Sequence, residues 1–150
     1  MSNHILRINK ENKRNEEDVE IFNNNKNKGV WFVKYYADWC PHCINMKSEW
    51  DLLTQQNLLK KNKINLAEVE ETFIDKLSSQ PGISGYPTLR LYKDGDGYDF
   101  KGERNLENFL HFLESQTKSF KTVGGKKTKN KKRLRKYSKK YSRKYKKNII

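Results

Sequence analysis

Tyr36-Ala37-Asp38-Trp39-Cys40-Pro41-His42-Cys43 decides the fold, because it joins two stretches of opposite character around a pair of cysteines. Upstream, Val30-Trp31-Phe32-Val33-Lys34-Tyr35-Tyr36-Ala37 is β-branched and aromatic almost throughout. That composition predicts a strand buried on both faces at the centre of a sheet. Its single charge, Lys34, is anomalous in such a strand. Downstream, the residues from Cys43 to about Lys61 suit a helix, with Met46, Trp50, Leu53 and Leu58 spaced near one stripe. The cysteines therefore fall at a strand-to-helix junction. A helix N-terminus offers unpaired N–H groups and the positive end of the helix dipole, and both favour a thiolate on Cys40. Thiolate is the nucleophile of disulfide exchange, and such sites lower a thiol pKa into the range of about 3.5–7.5. Cys43, one turn later and expected to be the more buried, would resolve the mixed disulfide formed at Cys40. His42 adds a donor, and when protonated a positive charge, beside the thiolate.

A half zinc site is the structural alternative for a Cys-X-X-Cys pair. It needs two further ligands, and the chain offers only His4, His42 and His111 besides carboxylates, none at zinc spacing. The context of the pair favours redox chemistry, with no metal and no cofactor. No other cysteine is left for a structural disulfide, which excludes a stapled secreted scaffold.

The remaining pattern completes an α/β order. His4 to Ile8 alternates weakly as a short first strand, and Asn12 to Phe22 reads as a short acidic helix. Asn23 to Gly29 is a polar turn. Ile64 to Val69 is the next strand, with Ile64, Leu66 and Glu68 on one face by its period of two. Thr72 to Ser79 is a short helix turning Phe73, Ile74 and Leu77 inward, broken by Pro81-Gly82. Thr88 to Tyr92 and Tyr98 to Phe100 are strands joined by a tight turn at Asp94-Gly95-Asp96-Gly97. Leu106, Phe109, Leu110 and Leu113 share a face of a last helix. An early parallel crossover followed by an antiparallel hairpin implies a central mixed sheet flanked by helices.

Charge divides the chain at the end of that pattern. Residues 118–150 hold 16 of the 32 Lys and Arg and none of the 18 Asp and Glu, so the formal +14 belongs to the tail. The body before it carries a net −2. The expected organisation is a domain over residues 1–118 and a disordered basic tail over 119–150. Met1 to Arg14 carries no apolar run of signal-peptide length, and no stretch approaches a membrane span, so a cytoplasmic address is expected.

The residues also resemble a known family. Tyr36 to Cys43 resembles the active-site segment of thioredoxins and protein disulfide isomerase domains. Gly85-Tyr86-Pro87-Thr88-Leu89 is similar to that family's cis-proline loop. The resemblance covers about residues 4–116. It implies a thioredoxin fold, a redox-active Cys40–Cys43 disulfide, a cis Pro87, and a groove for extended protein substrates formed by Trp39, Tyr86 and Pro87. It implies protein thiols and disulfides as partners, while Trp31 and Trp50 are assigned to the core.

Three departures from the resemblance are informative. The family commonly places an acid six positions before the first cysteine, beneath the second, and often a Lys on the next strand. Here those positions are Lys34 and Glu68, so the charges are exchanged. A buried lysine without a partner is costly and a paired one tolerable. The expectation is a Lys34–Glu68 ion pair beneath Cys43, with Glu68 as proton acceptor; the alternative is a snorkelling Lys34 and a solvated Glu68. Ser48 replaces a helix-kinking proline. Pro41-His42 is the dipeptide of bacterial periplasmic disulfide oxidases, which leans the reading toward an oxidase or isomerase, against the leaning of a compartment kept reduced by glutathione.

The tail is expected to bind nucleic acid or another polyanion through counterion release, with Tyr137, Tyr141 and Tyr145 placed to stack on bases. An anionic membrane surface, or a solubilising or nuclear-localisation role with no fixed partner, is the alternative. Removing 119–150 should then abolish salt-sensitive retention on nucleic acid; undiminished retention would remove that idea. Lys-rich tails after Gly-Gly on such bodies resemble chains of some large DNA viruses, which implies the host cytoplasm or the virion. The competing function is a non-catalytic scaffold of the same fold anchored by its tail.

Overall fold

The computed structural model describes residues 3–118. The basic tail expected over 119–150 lies outside the described residues. Among the described residues five strands form one sheet: β1 (Ile5–Ile8), β2 (Val30–Tyr36), β3 (Ile64–Glu70), β4 (Thr88–Lys93) and β5 (Asp96–Asp99), in the order β1-β3-β2-β4-β5. β3 pairs in parallel with β1 and β2, while β4 runs antiparallel to β2 and to β5. This is the mixed sheet that the order of elements implies. β2 lies between β3 and β4, and its interior residues Trp31 to Tyr35 are all buried. That position explains why it is nearly continuous in apolar residues.

The two faces of β2 meet different partners. Trp31, Val33 and Tyr35 join Leu6, Ile8, Ala67, Val69 and Tyr92 in one core cluster with Val19 and Phe22 of α1 (Asn15–Asn25). Phe22 meets Trp31 edge-on at 5.5 Å. On the opposite face Phe32 packs on Trp50 of α2 (Pro41–Leu53), ring centroids 5.5 Å apart. Lys34, two residues further along that face, is therefore carried under α2.

The long helix expected from Cys43 to Lys61 is in fact two, α2 and α3 (Asn57–Lys61). No proline or glycine breaks it. Side chains end α2 instead: Thr54 Oγ1 donates to the Asp51 carbonyl at 2.6 Å and Gln56 Nε2 to the Leu52 carbonyl at 3.0 Å. Backbone bonds from Gln55 to Leu52 and from Gln56 to Leu53 tighten the last turn. These satisfy carbonyls that a continuing helix would have paired. The break changes the apolar stripe, so that Leu59 is buried and Leu58 only partly.

Smaller boundaries shift as well. α1 begins at Asn15 and runs three residues into the stretch expected as a turn. The segment read as a helix over Thr72–Ser79 is a 3-10 helix, Glu71–Lys76, with Phe73 and Ile74 half-buried and Leu77 buried after it. The hairpin turn is only Asp94-Gly95, so Asp96 and Gly97 already belong to β5. Both turn residues have positive φ, 49° and 95°, the combination that a two-residue hairpin turn requires. Helix α4 (Leu106–Lys118) belongs to a second compact unit that starts at Glu103. Leu106, Phe109, Leu110 and Leu113 are all buried, the four residues that its periodicity selects.

Candidate redox site

Cys40 is the N-cap of α2, extended at φ −87° and ψ 116°, and Pro41 follows at the first helical position. The cap is the sulfur itself: Cys40 Sγ accepts from the Cys43 N–H at 3.3 Å. The first turn carries no acidic side chain, so nothing opposes the positive end of the helix dipole at that sulfur. The same Sγ reaches the Tyr86 carbonyl oxygen at 3.3 Å. Tyr86–Pro87 is a cis peptide. The 46 residues separating Cys40 from Tyr86 are thus closed into one site by the sheet.

Both cysteines are free thiols near disulfide distance, and both are 4% exposed. The expectation that Cys43 would be the more buried of the two is corrected by that equality: the loop at Tyr86 covers Cys40 from the side that α2 leaves open. Burial pushes the Cys43 thiol up to about 12, reinforced by its interaction with Cys40 and opposed by the Ala37 backbone and the Lys34 charge.

Lys34 and Glu68 meet beneath it. They are register partners on β2 and β3, and Lys34 Nζ lies 2.8 Å from Glu68 Oε2. Their side chains are only 3% and 6% exposed, so the ion pair is buried. Lys34 Nζ also stands over the rings of Tyr36 at 4.6 Å and Trp50 at 5.2 Å. These faces and the carboxylate compensate the loss of water around the ammonium.

Arg7 is the participant that the sequence did not disclose. It is the register partner of Glu68 on β1, and its Nη1 lies 2.8 Å from Glu68 Oε1 and 2.9 Å from Asp51 Oδ1 of α2. A cation, an anion and a cation therefore stand in one row across three strands. The only sequence signal was the alternation of Leu6, Arg7 and Ile8, which places Arg7 opposite the buried pair without saying what it faces. A cleft of about 580 Å³ opens over this row, lined among others by Cys43, Lys34, Glu68, Arg7, Tyr36 and Asp38.

The rim of the site is aromatic. Trp39 is 66% exposed, and its ring meets that of Tyr86 edge-on at 6.0 Å. Its Nε1 donates to Glu71 Oε1 at 2.5 Å, a second contact with no signal in the sequence. Pro87 is buried behind Tyr86, while Pro41 and His42 are exposed on the first turn of α2. All nine residues singled out from the sequence, Lys34, Trp39 to Cys43, Glu68, Tyr86 and Pro87, therefore lie around the cysteine pair or directly beneath it.

The sequence profile described as thioredoxin matches residues 10–115. The chain belongs to the thioredoxin family. It is 35% identical over 111 residues to a thioredoxin domain-containing protein of Theileria parva, covering 73% of this chain and 48% of that one. It is 38% identical over 83 residues to protein disulfide-isomerase A6 of Mus musculus, covering 54% and 19%. The solution structure of the first thioredoxin domain of mouse protein disulfide-isomerase A4 superposes with a TM-score of 0.55 at 27% identity, over 78% of this chain and 80% of that one. The chain thus spans about half or less of the length of these curated relatives. No helix among the described residues is long and apolar enough to cross a membrane.

Proposed function

We propose that this thioredoxin-family chain is a protein thiol–disulfide oxidoreductase working through Cys40 and Cys43. The observation that carries the reading is the sulfur of Cys40, capping α2 through the Cys43 N–H and lying against the Tyr86 carbonyl beside an exposed Trp39. In the reducing direction the Cys40 thiolate attacks one sulfur of a substrate disulfide, and the other leaves as a thiolate. The Cys43 thiol then gives its proton to Glu68 and its sulfur attacks Cys40 Sγ. The Cys40–substrate bond breaks as the Cys40–Cys43 bond forms, the second substrate sulfur leaves as a thiolate that like the first takes its proton from solvent, and the two electrons lost by Cys40 and Cys43 are those gained by the substrate. Oxidation of a substrate runs these steps backward.

Trp39 and Tyr86 flank the attacking sulfur and form the groove for an extended polypeptide, with Pro87 buried behind Tyr86. Exposed His42 supplies positive charge beside Cys40 when protonated, and Pro41-His42 supports an oxidase or isomerase direction. Both thiols would be superfluous in a scaffold, which sets the redox reading above the tail-anchored alternative. The test is turnover of insulin reduction with a low-molecular-weight dithiol. Turnover is expected from the intact chain, none above background from Cys40→Ser, and a slowing of about 10²-fold in resolution of a trapped mixed disulfide from Glu68→Gln. Insulin reduced no faster by the intact chain than by the dithiol alone would overturn the proposal.

A further inference from the structure

The exchanged charge pair leaves Glu68 in an unusual position for a proton acceptor. It is held not by one cation but by two, one on each carboxylate oxygen: Lys34 at 2.8 Å on Oε2 and Arg7 at 2.8 Å on Oε1. Placing a proton on this carboxylate weakens two charge-assisted contacts at once. Lys34 is sealed in, with 3% of its side chain exposed. The Arg7 side chain is 40% exposed and shares its Nη1 with Asp51, itself 40% exposed at the foot of α2. One hold on Glu68 is therefore fixed and the other adjustable.

We propose that Arg7 is a positioning residue of the redox centre, holding the buried Glu68 carboxylate ionised and thereby limiting how readily it takes the Cys43 proton. The inference rests on the reading of Glu68 as that acceptor. The charged groups in contact with the carboxylate are Arg7 from β1 and Lys34 from β2; Asp51 from α2 reaches it through Arg7, and Tyr36 from β2 with Cys43 and Lys47 from α2 line the same cleft. Lys10, Glu11 and Asp38 line the same cleft further out, where Lys10 and Asp38 lie 3.7 Å apart. Within this set Arg7 is the one group that touches Glu68, is open to solvent, and is drawn toward a second acid. Asp51 competes for Arg7 and so moderates its hold. Two substitutions should consequently act in opposite directions. Arg7→Met keeps an apolar stem but removes the cation, so Glu68 gains proton affinity. Asp51→Asn removes the competitor, so Arg7 binds Glu68 more strongly and that affinity falls.

The experiment follows the Glu68 carboxyl carbon by NMR against pH in the full reduced chain labelled at glutamate, with the signal assigned by its loss in Glu68→Gln. The Arg7→Met midpoint should lie at least about one pH unit above wild type, a tenfold gain in proton affinity. The Asp51→Asn midpoint should lie below wild type. A purely structural role for Arg7 would not produce shifts of opposite sign. An unmoved midpoint in Arg7→Met, or shifts of the same sign in both variants, would overturn the inference. If Arg7→Met does not fold, Arg7→Gln is measured in its place, where an upward shift supports the inference and an unmoved midpoint overturns it. The pH profile of mixed-disulfide resolution separates this from the acceptor reading. Its acid limb should follow the carboxyl midpoint in both variants and vanish in Glu68→Gln. A limb that survives Glu68→Gln defeats the acceptor reading, whereas the carboxyl midpoints alone decide whether Arg7 holds Glu68.

Discussion

Cys43 is the residue on which the proposed chemistry turns. Burial is the first cause of its raised thiol, so the neutral form is favoured well above the pH at which an ordinary thiol, near 8.5, ionises. The folded reduced chain holds this proton more tightly than the unfolded chain does. That contribution to stability is complete at neutral pH and is lost as pH rises from the ordinary thiol value toward about 12. In Cys40→Ser, alkylation of Cys43 by iodoacetamide is expected to stay slow at pH 8 and to reach half its limiting rate well above pH 8.5. Removing the partner sulfur lowers the midpoint only partly, because burial remains. An ordinary midpoint would show that the thiol is hydrated. Lys34 and Glu68 were legible in the sequence because each breaks the pattern around it, a charge in an apolar strand and an acid on an inward face. Arg7 was not, because a half-exposed arginine on a short edge strand has no anomaly of its own. Its role depends on a register that only the assembled sheet defines.

At the scale of the element, α2 links the core to the cysteines. Its first turn holds Cys40 and Cys43, and its third presses Trp50 onto Phe32 and under the Lys34 ammonium. Trp50 is 1% exposed, so Trp50→Ala should cost about 3–5 kcal/mol, read from urea unfolding at unchanged slope. The loss should be accompanied by slower resolution at Cys43, since the same ring roofs the ion pair. A cost below 1 kcal/mol would mean that α2 is seated by other contacts. The start of α2 was legible to within two residues: the helix was expected from Cys43 and begins at Pro41, with Cys40 as its cap. Its end was not. Leu52, Leu53, Leu58 and Leu59 sustain apolar spacing across the break, and the signals that stop the helix are hydrogen bonds from Thr54 and Gln56 to carbonyls. Threonine and glutamine are common enough in helices that neither marks a boundary.

Over the whole molecule, the sheet order does the work of assembly. Placing β3 between β1 and β2 brings Arg7, Glu68 and Lys34 into one row, and pairing β4 with β2 carries the Tyr86–Pro87 loop to Cys40. The site is thus made from positions as far apart as residues 7 and 87, closed by strand pairing. The strand-rich and helix-rich stretches, the hairpin and the cis-proline loop were readable because each rests on local pattern or on the family resemblance. The parallel placement of β1 beside β3 was not, because a four-residue edge strand carries too little pattern to name its neighbour. The central claim is that Cys40 and Cys43 interconvert between dithiol and disulfide as one unit. Its most direct test is to equilibrate the intact chain in glutathione buffers of graded poise and count free thiols by alkylation and mass. A single reversible two-electron transition is expected, in which both thiols disappear together, absent from Cys40→Ser. Thiols that disappear independently, or persist in every buffer, would contradict it.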